Sequence, residues 1–325
     1  LKYHFCTCFD RNYLVCGCTL FRSLCRHVED FTLYVAALDD EAFRLLEALA
    51  DPRLVPVRLA DIEAFDPEFA ACRPNRSRVE YIFTLSPVLP RFLFARHPEI
   101  KVLNYLDSDL FFFRDPEPVY RELGKKSLLV CPHRFPPELK FREKFGKCNM
   151  AFQLYRRDAE CFKVLDWWRA RCIEWCFDRV EPDRFADQKY LDFWPELTDS
   201  LVVSQDPGLD AGPWNWMTVP WEMSADGKWN PRGGELVCYH YQGFRFLTSF
   251  LLSHNLGSYG FRMPRPLLRY LYGSYADAFA ETKKELSRKF PEERFELAVR
   301  SNRTGFSTLR AILSGLRHHN LFFRY

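Results

Sequence analysis

The chain has 325 residues, 47% of them apolar and 17% aromatic, which suits one large α/β domain with an appendage and excludes a disordered or repetitive protein. Its 46 basic and 43 acidic residues leave a formal charge of +3, no signature of nucleic-acid binding. No apolar run reaches the ~20 residues that span a bilayer, and no signal-peptide pattern stands before YHFCTCF. The 12 cysteines include Cys6, Cys8, Cys16, Cys18 and Cys25 in apolar or helical contexts, and no CxxC pair occurs. They read as free thiols of a reducing, cytoplasmic setting rather than as a disulfide framework or a zinc site.

In chain order, YHFCTCF is a short apolar strand, and the segment after it carries Leu14, Cys18, Leu20, Phe21 and Leu24 near helical spacing. DFTLYVAAL predicts a buried strand. DDEAFRLLEALAD predicts a helix opened by a capping aspartate, with Phe43, Leu46 and Leu49 on one face, and LVPVRL a third strand. A turn-rich stretch from Asp61 to Arg76 precedes a helix from Arg78 to His97, interrupted by Pro87 and Pro90, and then a strand ending at Leu106. SLLVCPH and KCNMAFQLYR predict further strands. DAECFKVLDWWRARCIEWCF predicts a long helix capped by Asp158, with Phe162, Leu165, Trp168, Cys172 and Trp175 toward the core. The stretch from Asp206 to Asn230 is rich in Trp and turn formers, and GELVCYHY follows as a strand. Beyond Pro264 the composition shifts to charged helices. The expected organisation is a mostly parallel sheet flanked by helices over residues 1–263 and a helical extension over 264–325, with ligands at the carboxyl ends of strands.

KVLNYLDSDLFFF puts Asp107 and Asp109 at such a strand end. The pair has three readings: a solvated turn or cap, a phosphatase of the haloacid dehalogenase type with Asp107 as nucleophile, or a clamp for Mg²⁺ or Mn²⁺ that holds a diphosphate. The phosphatase pattern wants Thr or Val where Phe111 stands, and sits nearer the N-terminus. His240, in the apolar run VCYHY, reads alone as a core histidine, but the Gln-Gly that follows it would let backbone approach a diphosphate.

With KCNMAFQLYRR, FADQKYLDFWPEL and CYHYQGFR added, the order of features from about Tyr3 to Arg245 resembles the family 8 glycosyltransferases of the GT-A fold. The resemblance implies Asp107, Asp109 and His240 as ligands of Mn²⁺ or Mg²⁺, with Ser108 near the ribose of a nucleotide-sugar donor, most readily a UDP-sugar. It implies donor contacts from Thr7, Asp10, Asn12, Tyr13, Arg78, Asn149 and Gly243. Gln188 would lie beneath the anomeric carbon and Asp187 would bond donor-sugar hydroxyls, in a transfer that retains configuration while the leaving diphosphate helps deprotonate the acceptor. This chain departs from the pattern three times: the spacing between the first strand's end and Asn12-Tyr13 is changed, Ala151 replaces a glycine of the sugar site, and Phe246, Leu247 and Thr248 stand where the family has Lys, Pro and Trp. Arg245 is the candidate replacement cation.

In GLDAGPWNW, Trp214 and Trp216 have two readings, stacking on a glycan or lipid-linked acceptor or plain core, and Asn215 is placed with Trp214 at the acceptor. The rival function is a non-catalytic scaffold with the same fold. The tail GFSTLRAILSGLRHHNLFFRY carries Leu309, Ile312, Leu313 and Leu316 at helical spacing, with Arg310, Arg317, His318 and Arg324, and closes on Phe322, Phe323 and Tyr325. Such a helix either makes peripheral contact with an anionic membrane or packs on protein.

Overall fold

A computed structural model describes residues 2–248, 250–295, 312, 313, 315, 316 and 320–323. Strand β1 (Tyr3–Phe9) is followed by α1 (Leu14–His27), β2 (Phe31–Ala37), α2 (Asp40–Leu49) and β3 (Leu54–Arg58). Four helices come next, α3 (Leu59–Phe65), α4 (Pro67–Ala71), α5 (Arg78–Leu85) and α6 (Val88–Arg96), and then β4 (Val102–Leu106). The middle of the chain gives β5 (Leu110–Phe112), α7 (Glu117–Leu123), β6 (Leu128–Pro132), β7 (Cys148–Arg156), α8 (Ala159–Glu174), α9 (Trp194–Leu197) and β8 (Leu201–Val203). The last part holds β9 (Trp221–Met223), β10 (Trp229–Pro231), β11 (Cys238–His240), β12 (Arg245–Phe246), β13 (Leu251–Ser253), α10 (Arg265–Leu268), α11 (Ser274–Lys289) and β14 (Leu321–Phe323).

By its contacts the chain divides into two units, the first of residues 1–11, 28–107 and 116–205, the second of residues 12–27, 108–115 and 206–325. The first unit contains a seven-stranded sheet in the order β3-β2-β1-β4-β7-β6-β8. β1 pairs in parallel with β2 and β4, β2 with β3, and β6 with β8, while β7 runs antiparallel to β4 and β6. β1 and β2 are apolar along almost their whole length because a parallel sheet covered by helices buries both faces. The core around Leu93, Leu103, Val130, Leu165, Trp168 and Trp194 is shared by sheet and helices. In the second unit, β5 pairs antiparallel with β11, and β12-β13-β14 form a small sheet.

Helix starts follow side-chain chemistry. Asp39 accepts the Ala42 amide at 2.8 Å, Asp158 the Cys161 amide at 2.9 Å, and Ser77 with Glu80 forms a reciprocal capping box at α5. The stretch expected as turns from Asp61 holds α3 and α4, the second capped by Asp66 with a proline in its first turn. The helix break falls at Ser86 and Pro87, whereas Pro90 lies in the first turn of α6, where no backbone donor is lost. Trp175 caps the C-terminus of α8 in extended backbone. Within GELVCYHY only Cys238–His240 is strand. At the tail, Leu321–Phe323 pair with β13, so Phe322 and Phe323 belong to a strand and not to the end of a helix. Leu313 and Leu316 are exposed. Leu309, Arg310, Arg317, His318, Arg324 and Tyr325 lie outside the described residues. Among those described, no helix is long and apolar enough to cross a membrane.

The buried Asp66 carboxylate receives two hydrogen bonds from Arg169 of α8 and one from the Phe69 amide at 3.0 Å. Burial alone would raise its pKa, but those partners hold it below the usual carboxylate range. Arg169→Ala strands that charge and is expected to destabilise the fold by about 3 kcal/mol, read from urea unfolding. A change under ~0.5 kcal/mol would show that the pair is structurally idle.

Candidate active site

Both units present acidic groups at strand ends. In the first, Asp107 follows β4, and its amide donates to the Ala151 carbonyl at 2.9 Å. The register of β7 against β6 shifts beside Ala151, and Asn149 Oδ1 accepts the Ala151 amide at 2.7 Å, so Asn149 shapes the irregularity that holds Asp107. Asp187 is buried, with Trp168 Nε1 donating to its carbonyl at 2.9 Å. Ala186, just before it, has φ 47°, a left-handed conformation that costs a non-glycine residue about 1 kcal/mol. Burial first, and the charge of Asp107 after it, push the Asp187 carboxyl up to about 7 against an opposing hydrogen bond from Ser86.

Gln188 Nε2 donates to the Phe145 carbonyl at 3.0 Å, which turns its Oε1 the other way. Gly146 has φ 131°, and a Cβ built there would fall 3.1 Å from Gln188 Cγ. Lys189 adds a bond to the Glu143 carbonyl at 3.0 Å, so loop 143–146 fixes this turn. Thr7 is buried in β1. Asp10 follows that strand, also buried, and ion-pairs at 2.5 Å with Arg78, whose Nη2 also lies 3.3 Å from Asp39.

In the second unit, His240 is buried between two carboxylates. Its Nε2 lies 3.0 Å from Asp109 Oδ1 and its Nδ1 3.4 Å from Asp210 Oδ1. Burial alone would depress the imidazole, but Asp109 and Asp210 outweigh it and hold its pKa well above the ordinary value. A cavity of about 260 Å³ opens beside it, lined by Tyr13, Asp109, Gly243, Arg245 and the aromatic side chains of Tyr241 and Tyr275 among others. Gly243 has φ 74°, and a Cβ there would meet Asn255 Nδ2 at 2.4 Å, so the close approach after His240 requires glycine. Asn12 is exposed, and the Ser108 carbonyl lies 3.3 Å from the Cys16 thiol.

Trp214 and Asn215, expected at an acceptor, are buried at 2% and 4% exposure. The Trp214 ring stands edge-on to His240 at 5.2 Å, and Asn215 closes its own loop onto Gly212 and Asp210, so neither offers a face to a sugar. Asp210 and Ser86 were not singled out in the sequence. An acid in a turn-rich run looks like a solvated turn residue, and a serine before proline looks like a helix end.

Asp107, Asp109 and His240 each offer one ligand atom, all within 4.8 Å of one another. Two carboxylates and an imidazole form a donor set that fits Mn²⁺ or Mg²⁺.

No protein-family model matches the chain. Two Bacillus subtilis (strain 168) proteins, both described as uncharacterized, are similar in sequence. YfnD is 29% identical over 249 residues, 76% of this chain and 79% of YfnD. YfnF is 27% identical over 255 residues, 75% of this chain and 82% of YfnF. Among solved structures, the galactosyltransferase LgtC in complex with donor and acceptor sugar analogs is similar with a TM-score of 0.53 and 14% identity, over 86% of this chain and 95% of LgtC. The apo-form glycosyltransferase GlyE of Streptococcus pneumoniae TIGR4 gives 0.50 and 16%, over 88% of this chain and 64% of GlyE. The fold is the mixed, mostly parallel sheet with flanking helices of GT-A glycosyltransferase structures such as LgtC.

The Asp187 carboxyl generates a pH prediction. Its folded pKa, about 7, lies above the ordinary carboxyl value of 3.8, so between those limits the folded state binds more protons and stability falls as pH rises. At about 1.4 kcal/mol per unit the full penalty is on the order of 4 kcal/mol. Asp187→Asn should remove this slope and melt higher than wild type at pH ~8, in chelator-treated protein. Parallel melting curves across that window would refute the assignment.

Proposed function

We propose that this protein is a retaining glycosyltransferase of the family 8 type, moving a hexose-type sugar from a UDP-sugar to a glycan or lipid-linked acceptor. The observation that carries the reading is the donor set Asp107, Asp109 and His240 at a strand end, in a chain with the fold of GT-A glycosyltransferases. A divalent cation held there, Mn²⁺ first, would neutralise the leaving diphosphate as a Lewis acid.

The chain's own residues supply the rest. Gly243, which packs against Asn255, lines the cavity, and Arg245, lining the same cavity, provides the cation for phosphate in place of the family's lysine. Asp10 and Thr7 at the end of β1, with Asn12, Tyr13 and Ser108, are the nucleoside contacts, and Arg78 acts by holding Asp10. Gln188, steered by the Phe145 carbonyl, turns its Oε1 toward charge developing at the anomeric carbon, while Asp187 and Asn149 bond sugar hydroxyls. The phosphatase reading is weakened by Asp109, which pairs with His240 instead of standing free as an acid.

Asp109→Asn is expected to weaken Mn²⁺-dependent UDP binding by at least ~100-fold in calorimetry while the far-UV spectrum stays unchanged. Equal binding by wild type and variant would return the two aspartates to a turn.

Gly146→Ala tests the chemistry separately from binding. The new Cβ presses on Gln188, so UDP affinity should hold while sugar transfer drops roughly 100-fold, as a ~1 Å misplacement does. Gln188→Ala should behave alike. Matching losses of UDP affinity and transfer would contradict a role confined to the transition state.

A further inference from the structure

We propose that Asp210 is a positioning residue that holds the His240 ring with Nδ1–H directed at its carboxylate, leaving Nε2 to the metal. The inference rests on the metal reading of Asp107, Asp109 and His240 given above. The two ring nitrogens face different carboxylates: Nε2 meets Asp109, which is part-exposed, and Nδ1 meets Asp210, which is fully buried. Asp210 is not among the donors that converge within 4.8 Å, so its place is behind the imidazole and not on the ion.

The surrounding loop is built to keep it there. Asp210 adopts φ 52°, a left-handed conformation that glycine or asparagine takes more readily, and a buried carboxylate is costly unless it has a charged or hydrogen-bonding partner. Both costs are tolerated at one residue, whose carboxylate faces an imidazole. Asn215 Nδ2 donates to the Asp210 carbonyl at 3.2 Å, and its Oδ1 accepts the Gly212 amide at 2.9 Å. The His240 amide donates to the Ala211 carbonyl at 2.7 Å, tying the histidine to the residue next to Asp210. Trp214 stands at 87° to the imidazole and limits its tilt, and Gly212 is required because a Cβ would lie 2.7 Å from Trp214 Cη2. The ring is held in plane by Trp214 and along its nitrogen axis by Asp210. A carboxylate behind a metal-binding histidine fixes the ring's orientation and raises the basicity of the free nitrogen. GLDAGPWNW is therefore a cradle for His240.

The experiment titrates Mn²⁺ alone into wild type, Asp210→Asn and Asp210→Gly, and records the Nδ1–H proton of His240 by NMR in metal-free protein, assigned by its loss in His240→Gln. Glycine suits the backbone at this position, so Asp210→Gly keeps the test sound if the asparagine variant folds poorly. Both variants should bind Mn²⁺ about 10–100-fold more weakly and lose the hydrogen-bonded Nδ1–H signal, with unchanged far-UV spectra. Wild-type Mn²⁺ affinity together with an unchanged Nδ1–H signal overturns the proposal. An affinity loss as complete as that of Asp109→Asn overturns it too, because Asp210 would then be a ligand. If wild type itself ignores Mn²⁺, the metal reading fails, and the Nδ1–H signal alone decides whether Asp210 orients the ring.

Discussion

One imidazole held between two carboxylates sets the demands on the second unit. His240 must face Asp109, and that depends on register: His240 pairs with Leu110, and the Tyr241 amide donates to the Asp109 carbonyl at 2.9 Å. A slip by one residue would turn His240 to the other face of the strand. The residues on either side prevent it. Tyr239 and Tyr241 point away from His240 by the two-residue alternation of a strand, and both are anchored. Tyr239 shares a hydrogen bond with Tyr272 at 3.1 Å, while Tyr241 donates to the Leu271 carbonyl and stacks on Tyr275 at 3.8 Å. A three-residue strand is short for such precision, and the aromatic packing behind it supplies the specificity that ladder bonds alone lack.

The first unit shows the complementary constraint, a carboxyl that prefers its proton. Asp187 sits in a core of Trp168, Cys172 and Tyr155, with Asp107 as its charged neighbour. Like charges in a dry environment raise each other's cost, and the strained backbone at Ala186 persists because the Trp168 bond and the packing around it fix the turn. Such a concentration of negative charge and strain is poor design for stability alone. It is what a site requires when it must meet a cationic or proton-sharing ligand.

The sheet was legible because its signals are local. Apolar runs bounded by turn formers, capping aspartates at Asp39 and Asp158, and the broken helix before β4 each follow from their own few residues. The antiparallel entry of β7 was not legible, since strand direction is set by partners distant in sequence. Asp107, Asp109 and His240 could be read because two carboxylates after an apolar strand are conspicuous and a histidine before Gln-Gly has a backbone reason to be there. Asp210 was hidden for the opposite reason: its function comes from burial and a positive φ, and neither is visible in a run of Gly, Asp, Ala and Pro. Trp214 stayed ambiguous in the same segment, because an indole near a site is equally suited to cover a sugar or to pack in the core, and its 2% exposure favours the second. The tail aromatics have the same ambiguity. The apolar period before them fits a helix, but the edge of β13 gives Leu321–Phe323 backbone partners that a helix would not.

Arg78 has a structural role that bears on the site. It stands at the first position of α5, where Ser77 and Glu80 close the capping box, so its backbone is fixed while its side chain remains 60% exposed. From there it meets Asp10 and Asp39, and the Arg11 amide donates to the same Asp39 carboxylate at 3.1 Å. Asp39 also caps α2. One carboxylate thus links the end of β1, the start of α2 and the start of α5, and Arg78 passes that rigidity to Asp10. An exposed ion pair stabilises a fold by little, under ~1 kcal/mol. The better explanation for an arginine bridging two acids is placement: without the guanidinium, Asp10 and Asp39 would repel each other, and Asp10 would lose the partner that fixes its direction at the strand end.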